Sequence, residues 1–404
     1  MLKKIPYTEA VQMLLALPVS PKTKKVSLFE AQGATLAKDI VALQNVPPFD
    51  RSPYDGYALM GEDTAEASEK APVTLRVIEE VPAGTAPTKT VTPGTAVKIL
   101  TGGPLPKGAN CIIKFEDTSF TPNAVTLHSP ISPGSDIIRA GEDTKMGELL
   151  AAKGSVIKSA MLAVFASQGI AEVEVFEAPR VGVISTGSEL KMPGENLLPG
   201  QIYNSNLFSI MGFLKDAGCE PVSFGIVPDE PSEIISAINE AFKVCNCVLT
   251  TGGASVGDYD WAVTAAEGCG AAPLFWKLGM KPGGAMVAAQ REGKLLLSLS
   301  GNPAAALTGF HVVAAPYLRK LCGRAELLQK PFLAKLKHPM KKKSMPPRFL
   351  RGHLEIIEGT AHFVTHTSQG NGDTLSFTDC DVIGCIPGGS PPLEAGTEIE
   401  VFYI

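Results

Sequence analysis

The chain has 404 residues, 45% of them hydrophobic, and a formal net charge of -5. That length calls for several domains, each with its own core, and the apolar share is that of an ordinary globular protein. The mild acidic balance excludes a general nucleic-acid binder, no apolar run reaches the ~20 residues of a membrane helix, and the opening Met1-Leu2-Lys3-Lys4-Ile5-Pro6 lacks a signal h-region.

Residues 1–45 read as helical, with Thr8 capping a helix over 9–17 that Pro18 stops. Residues 46–146 are rich in Pro, Gly, Thr and Val, with strands at 73–78 and 111–115, and form a β-rich module. A helix over 155–169 ends at Gly169 and makes the first domain discontinuous, 1–45 plus 147–178. From 179 to 326, strands at 181–185, 221–226, 247–251, 274–278 and 295–299 alternate with helices at 205–217, 231–242 and 303–321. The first of these helices carries an apolar stripe of Leu207, Phe208, Ile210, Met211 and Leu214, and the last bends at Pro316. Such alternation implies a doubly wound parallel sheet. Residues 327–404 return to β texture and predict a small barrel, with a sandwich as the alternative. The fold class is thus α/β multidomain.

Eight cysteines show no paired metal spacing. Cys245-x-Cys247 lies in an apolar strand run, where positions two apart share a face, so both read as core thiols. A reduced, cytoplasmic location follows.

Ligands of open α/β sheets bind beyond the carboxyl ends of the strands. Five dense loops of the 179–326 region fall there: Ser185-Thr186-Gly187-Ser188-Glu189-Leu190, Gly225-Ile226-Val227-Pro228-Asp229-Glu230, the run Val248-Leu249-Thr250-Thr251-Gly252-Gly253-Ala254-Ser255-Val256-Gly257-Asp258-Tyr259-Asp260, Trp276-Lys277-Leu278-Gly279-Met280-Lys281-Pro282-Gly283-Gly284, and Leu299-Ser300-Gly301-Asn302-Pro303-Ala304. Paired glycines let a ligand approach backbone N–H groups, and Asp229, Asp258 and Asp260 offer hard oxygens for Mg²⁺. The same loop also reads as a tight turn with solvated acids, and Asp229 as a helix-start acid. Asn302 is a good cap and Pro303 fits a first helical position, so the helix start points N–H groups at an oxyanion or merely caps. Lys277 and Lys281 would compensate a polyanion, or form a surface pair. Glu189 could accept hydrogen bonds from a ligand ring, or sit as a first-turn acid. No Ser, His or Cys triad is evident, so positioning and a metal ion would carry the rate.

Phe49-Asp50-x-Ser52-x-x-Asp55-Gly56-Tyr57-Ala58, Thr101-Gly102-x-Pro104, Arg139-x-Gly141-Glu142-Asp143, Ser185-Thr186-Gly187-x-Glu189-Leu190, Gly252-Gly253-x-Ser255-Val256-Gly257-Asp258, Lys281-Pro282-Gly283 and Gly301-Asn302-Pro303 follow one another in a known order. Together they resemble the MoeA molybdopterin molybdenumtransferases, kin to the E-domain of gephyrin, over nearly the whole chain. The resemblance implies four domains and a homodimer in which one subunit's β module approaches the other's pocket. It implies insertion of molybdenum from molybdate into adenylylated molybdopterin, with release of AMP and dependence on Mg²⁺, and a molybdopterin adenylyltransferase as substrate donor. By motif match, Asp55, Thr101, Asp143, Glu189, Lys277 and Lys281 take catalytic positions, and Asp229, Asp258 and Asp260 the metal. Thr186, Gly187, Gly252, Gly253, Ser255, Pro282, Gly283, Gly301, Asn302 and Pro303 take the cofactor, together with Arg351 and Ser376 from the C-terminal motifs. Kinship with gephyrin leaves a non-catalytic molybdopterin-binding or scaffold paralogue as the alternative.

Overall fold

The structure, a computed structural model, describes residues 2–253 and 259–404. The chain divides into two compact units, one of Met1–Lys38, Lys153–Ile157 and Val173–Ile404, the other of Asp39–Ala152 and Lys158–Glu172.

The larger unit is built on a seven-stranded sheet. In chain order its strands are β1 (Leu2–Pro6), β2 (Arg180–Thr186), β3 (Glu220–Val227), β4 (Cys247–Thr251), β5 (Ala272–Gly279), β6 (Val287–Arg291) and β7 (Lys294–Leu299), arranged β1-β5-β6-β7-β4-β2-β3. The helices are α1 (Tyr7–Ala16), α2 (Ser205–Asp216), α3 (Pro231–Val244), α4 (Tyr259–Gly268), α5 (Pro303–Gly309) and α6 (Ala315–Leu321). Strand alternation sends Val181, Val183, Leu295 and Leu297 to one core with Leu14, Leu207, Ile210 and Phe310. Ile184, Val248 and Leu296 go to the other face, against Ile234, Ile238 and Phe242 of α3. Apolar side chains on both faces are why these strands read as continuous hydrophobic runs.

Several expectations need correction. The stretch 1–45 is helical only over α1 and a single 3₁₀ turn at Leu28–Glu30; α1 starts at Tyr7 with Pro6 at the cap position and no side-chain cap, so Thr8 is not the cap. Leu2–Pro6 is instead an edge strand, with Leu2 opposite Phe275 and Ile5 opposite Leu278. The sheet is not wholly parallel: β6 runs antiparallel between β5 and β7. Its hairpin to β7 turns through Glu292 and Gly293, both at positive φ (52° and 78°), which matches the right-handed twist of the strands. The long C-terminal helix does not simply bend at Pro316. A π-helical turn at Phe310–Ala314, with Ala315 N–H donating to Phe310 O, absorbs the irregularity just upstream of the proline. Phe208 lies off the buried stripe, 52% exposed. Cys245 and Cys247 are both buried thiols, but Cys245 ends α3 and is not on β4.

The C-terminal strands Phe332–Leu336, Arg348–Ile357, Thr360–Thr365, Val382–Ile386 and Glu398–Tyr403 close into a barrel around Leu336, Leu350, Phe363 and Val401. Gly352 and Gly384 leave room for the Phe363 ring, which a Cβ at either would strike at 3.0 Å or less.

In the smaller unit, six strands are ordered Cys111–Lys114, Gly56–Leu59, Thr95–Ile99, Val73–Val81, Ala124–Leu127 and Thr118–Thr121. They enclose Tyr57, Leu59, Leu75, Val125 and Leu127. Helix Ser159–Ser167 ends at Gln168, whose Oε1 accepts from Leu43 N and Gln44 N at 2.8 and 3.1 Å, and Gly169 follows at φ 74°. Among the described residues no helix is long and apolar enough to cross a membrane.

Candidate functional site

Strands β2, β3, β4, β5 and β7 all run the same way, so their carboxyl ends share one edge of the sheet. The chain leaves β2 for β3 on one side and returns to β4 on the other, which makes the β2–β4 junction a topological switch point. A cleft of about 880 Å³ opens there. Thr186, Gly187, Glu189, Asp229, Gly252, Gly253, Lys281, Pro282, Gly283, Gly301, Asn302 and Pro303 all line it, so loops from across 118 positions of sequence meet as expected.

The floor is closely packed. Gly252, at φ 99°, abuts Thr186: a Cβ there would lie 2.1 Å from the Thr186 carbonyl oxygen. A Cβ on Gly301 would meet the Gly252 Cα at 3.3 Å, so three strand ends press together. Hydroxyls link them, with Thr251 Oγ1 donating to Ser185 Oγ and Ser185 Oγ to Asn204 Oδ1, each at 3.3 Å. Lys281 enters through a cis peptide to Pro282, its N–H donating to Pro347 O at 3.0 Å and its carbonyl accepting from Phe349 N at 2.9 Å. Asp229 Oδ2 accepts from Ser188 N at 3.3 Å. Among the described residues, the charged groups of the lining are Glu189 and Asp229 against Lys281.

The α5 start differs from expectation. Asn302 sits at the cap, but its side chain makes no capping bond. The N–H groups expected to be free are engaged: Ala304 N donates to Asn371 O at 2.9 Å, and Ala305 N and Ala306 N donate to Asn302 O. The barrel loop bearing Asn371 and Thr374 thus closes one side of the cleft. Arg351 and Ser376 lie behind that loop and do not line the cleft. The buried Arg351 guanidinium donates from Nε to Ser376 Oγ (2.9 Å) and from Nη2 to Gly370 O (3.1 Å). Burial pushes its pKa below the ordinary value, and its Nη1 has no partner.

Other residues fall elsewhere. Lys277 is absent from the cleft lining: at φ 59° its Nζ lies 4.3 Å from the Trp276 ring centre. Asp260 falls in the first turn of α4, and Ser255 and Asp258 lie outside the described residues. Asp55, Thr101 and Asp143 belong to the smaller unit. There Thr101 donates its N–H (2.7 Å) and hydroxyl (2.8 Å) to Asp55 Oδ1, which hold the exposed carboxyl below its usual pKa. The neighbouring loops are tied by Arg139 to Asp50 at 2.7 Å and by Ser52 N to Gly103 O at 3.0 Å. Asp143 is exposed, and its N–H donates to Val46 O at 3.0 Å.

Sequence reasoning missed Tyr203, Asn204, Asn206, Asn371 and Thr374 in the lining. An Asn-Ser-Asn run at the start of a predicted helix was the available signal for two of them.

Residues 5–169 match the MoeA N-terminal region (domain I and II), residues 182–320 a probable molybdopterin binding domain, and residues 333–404 the MoeA C-terminal region (domain IV). The molybdopterin molybdenumtransferase of Staphylococcus aureus strain Mu50 is 34% identical over 397 residues, covering 98% of this chain and 95% of that protein. That of Bacillus subtilis strain 168 is 34% identical over 413 residues, covering 99% and 94%. The crystal structure of the molybdopterin biosynthesis MoeA protein from Pyrococcus horikoshii superposes with a TM-score of 0.86 at 32% identity, covering 99% of both chains. With its three regions matched in order and its full length shared with these relatives, the chain belongs to the MoeA family.

Proposed function

We propose that this protein is a molybdopterin molybdenumtransferase of molybdenum cofactor biosynthesis, which inserts molybdenum from molybdate into adenylylated molybdopterin and releases AMP. The observation that carries the reading is the gathering of the Thr186, Gly252, Lys281 and Gly301 loops on one cleft at the switch point of the sheet. Its volume of about 880 Å³ is in the range that holds a large organic ligand.

The donor set fits Mg²⁺. Asp229 and Glu189 present carboxylates to a cleft whose one lining ammonium, among the described residues, is Lys281. Among the described residues no cluster of three His, Cys, Asp or Glu forms an all-protein cage. One or two carboxylates completed by substrate phosphate is how Mg²⁺ is usually held. Asp229 would hold it, with Asp258 and Asp260 from the adjoining segment; when bound it would neutralise phosphate charge and stabilise the leaving phosphate. The protein's own groups position the reactants. Lys281 attracts the oxyanion, and the glycine floor lets phosphate oxygens approach backbone. The homodimer implied by the family likeness belongs to this reading, with Asp55, Thr101 and Asp143 acting on the partner subunit's cleft. So do a cytoplasmic location and supply of substrate by an adenylyltransferase.

The test incubates the protein with adenylylated molybdopterin, Mg²⁺ and molybdate, omitting each in turn. AMP should appear only in the complete mixture and be lost in Asp229→Ala. Undiminished release from Asp229→Ala overturns the metal role, and no release from the complete mixture overturns the enzyme.

A further inference from the structure

We infer that Tyr203 is the platform on which a planar nitrogen heterocycle of the ligand stacks, a specificity role resting on the functional reading above. Tyr203 supplies the one aromatic ring among the described cleft-lining residues. It is held from two directions. Its backbone lies in a two-residue strand, Ile202–Tyr203, paired in parallel with Leu190–Lys191, and its hydroxyl donates to Glu195 O at 2.9 Å. The residue is nevertheless 46% exposed, and among the described residues its ring packs against no other ring. A tethered, half-exposed aromatic side chain loses little conformational entropy when a flat ligand covers it.

Two amides follow in the same lining. Asn204 and Asn206 are nearly buried, and a backbone partner orients each amide. Leu207 N donates to Asn204 Oδ1 at 3.2 Å, and Asn206 Nδ2 donates to Gly301 O at 2.8 Å. That leaves Asn204 Nδ2 and Asn206 Oδ1 without protein partners and shielded from solvent, in two residues of the cleft lining. Buried polar groups seldom stay unpaired, so a small turn of either amide toward the cleft would be favoured by a heterocycle whose ring nitrogens and N–H groups complement it.

Two rings of an adenylylated pterin share this chemistry, the pterin and the adenine. The experiment separates them by titrating the full-length protein with 6-carboxypterin and, separately, with AMP. Tyr203→Phe, which keeps the π face but loses the hydroxyl tether, should bind the stacked probe within about fivefold of wild type, whereas Tyr203→Leu, which keeps apolar bulk without a π face, should weaken it about tenfold or more. If the pterin is the stacked ring, its fluorescence should be quenched on wild type and Tyr203→Phe but not on Tyr203→Leu. Loss confined to AMP assigns the adenine instead. Wild-type affinity of Tyr203→Leu for both probes overturns this inference alone. A wild-type protein that binds neither probe overturns the functional reading and this inference with it.

Discussion

Gly252 and Gly253 look equivalent in sequence, yet the structure predicts very different consequences for replacing them with alanine. Gly252 sits at φ 99°, beyond the small left-handed region open to side-chain-bearing residues. A Cβ there would lie 2.1 Å from the Thr186 carbonyl oxygen and 2.6 Å from its Oγ1. Thr186 ends a buried strand, so it cannot step aside without parting β2 from β4 at the switch point. Gly301 presses on Gly252 from the next strand end, which closes the other escape. Backbone strain of about 1–2 kcal/mol and overpacking of about 1–3 kcal/mol together predict a loss of about 2–5 kcal/mol. Gly253, at φ 66°, falls within the left-handed region, and its new Cβ would come no nearer than 3.4 Å to Thr186 Oγ1. Its replacement should cost about 1 kcal/mol. Urea midpoints of wild type and the two variants measure the difference, and AMP release under saturating substrate reports on the floor of the cleft. Gly252→Ala should lose both stability and activity, with Gly253→Ala close to wild type in stability. Equal midpoints for the two variants would refute the claim that backbone contact at Thr186 sets the requirement for glycine.

Two further perturbations test the supports of the site. His311 lies in the π-turn against the Phe213 and Phe310 rings, at 4.8 and 5.3 Å, with a buried Nε2 that has no partner. Burial holds its pKa down to about 4 from an ordinary 6.5. Because the folded value is the lower one, stability is complete above about pH 6.5 and is lost as pH falls toward 4, by up to about 3 kcal/mol. His311→Phe should flatten the dependence of the denaturant midpoint on pH in that window, and an unchanged slope would dismiss the assignment. Arg351→Lys keeps a charge but cannot reproduce the fork to Ser376 and Gly370. It should cost about 2–4 kcal/mol and speed hydrogen exchange in the 370–376 loop, raising KM for the adenylylated substrate. Native exchange rates in that loop would refute the support role.

The central strands were legible because burial on both faces leaves uninterrupted apolar runs, as in Val181-Gly182-Val183-Ile184 and Leu295-Leu296-Leu297. The strand-end loops were legible because glycine and proline mark backbone geometry directly. What escaped was fixed by partners distant in sequence. Lys3 and Lys4 mask an edge strand whose pairing lies at Trp276 and its neighbours, and no local pattern reports that register. The β6–β7 hairpin carried a usable signal in Glu292-Gly293, but its alanine-rich strand Val287-Ala288-Ala289 has weak β-propensity. At α5, a good cap residue led to the expectation of free N–H groups, yet a barrel loop from beyond residue 370 supplies the acceptor. Motif likeness marked Arg351 and Ser376 each as a cofactor residue, but only the fold shows that they bond to one another and lie outside the cleft lining. The same logic applies to Tyr203, Asn204 and Asn206, an ordinary aromatic and two ordinary amides in sequence. Motif glycines announce where a ligand's phosphates could approach, because that geometry is written in the local backbone. The groups that would distinguish one ring from another need only be side chains, and tertiary structure alone brings them to the cleft.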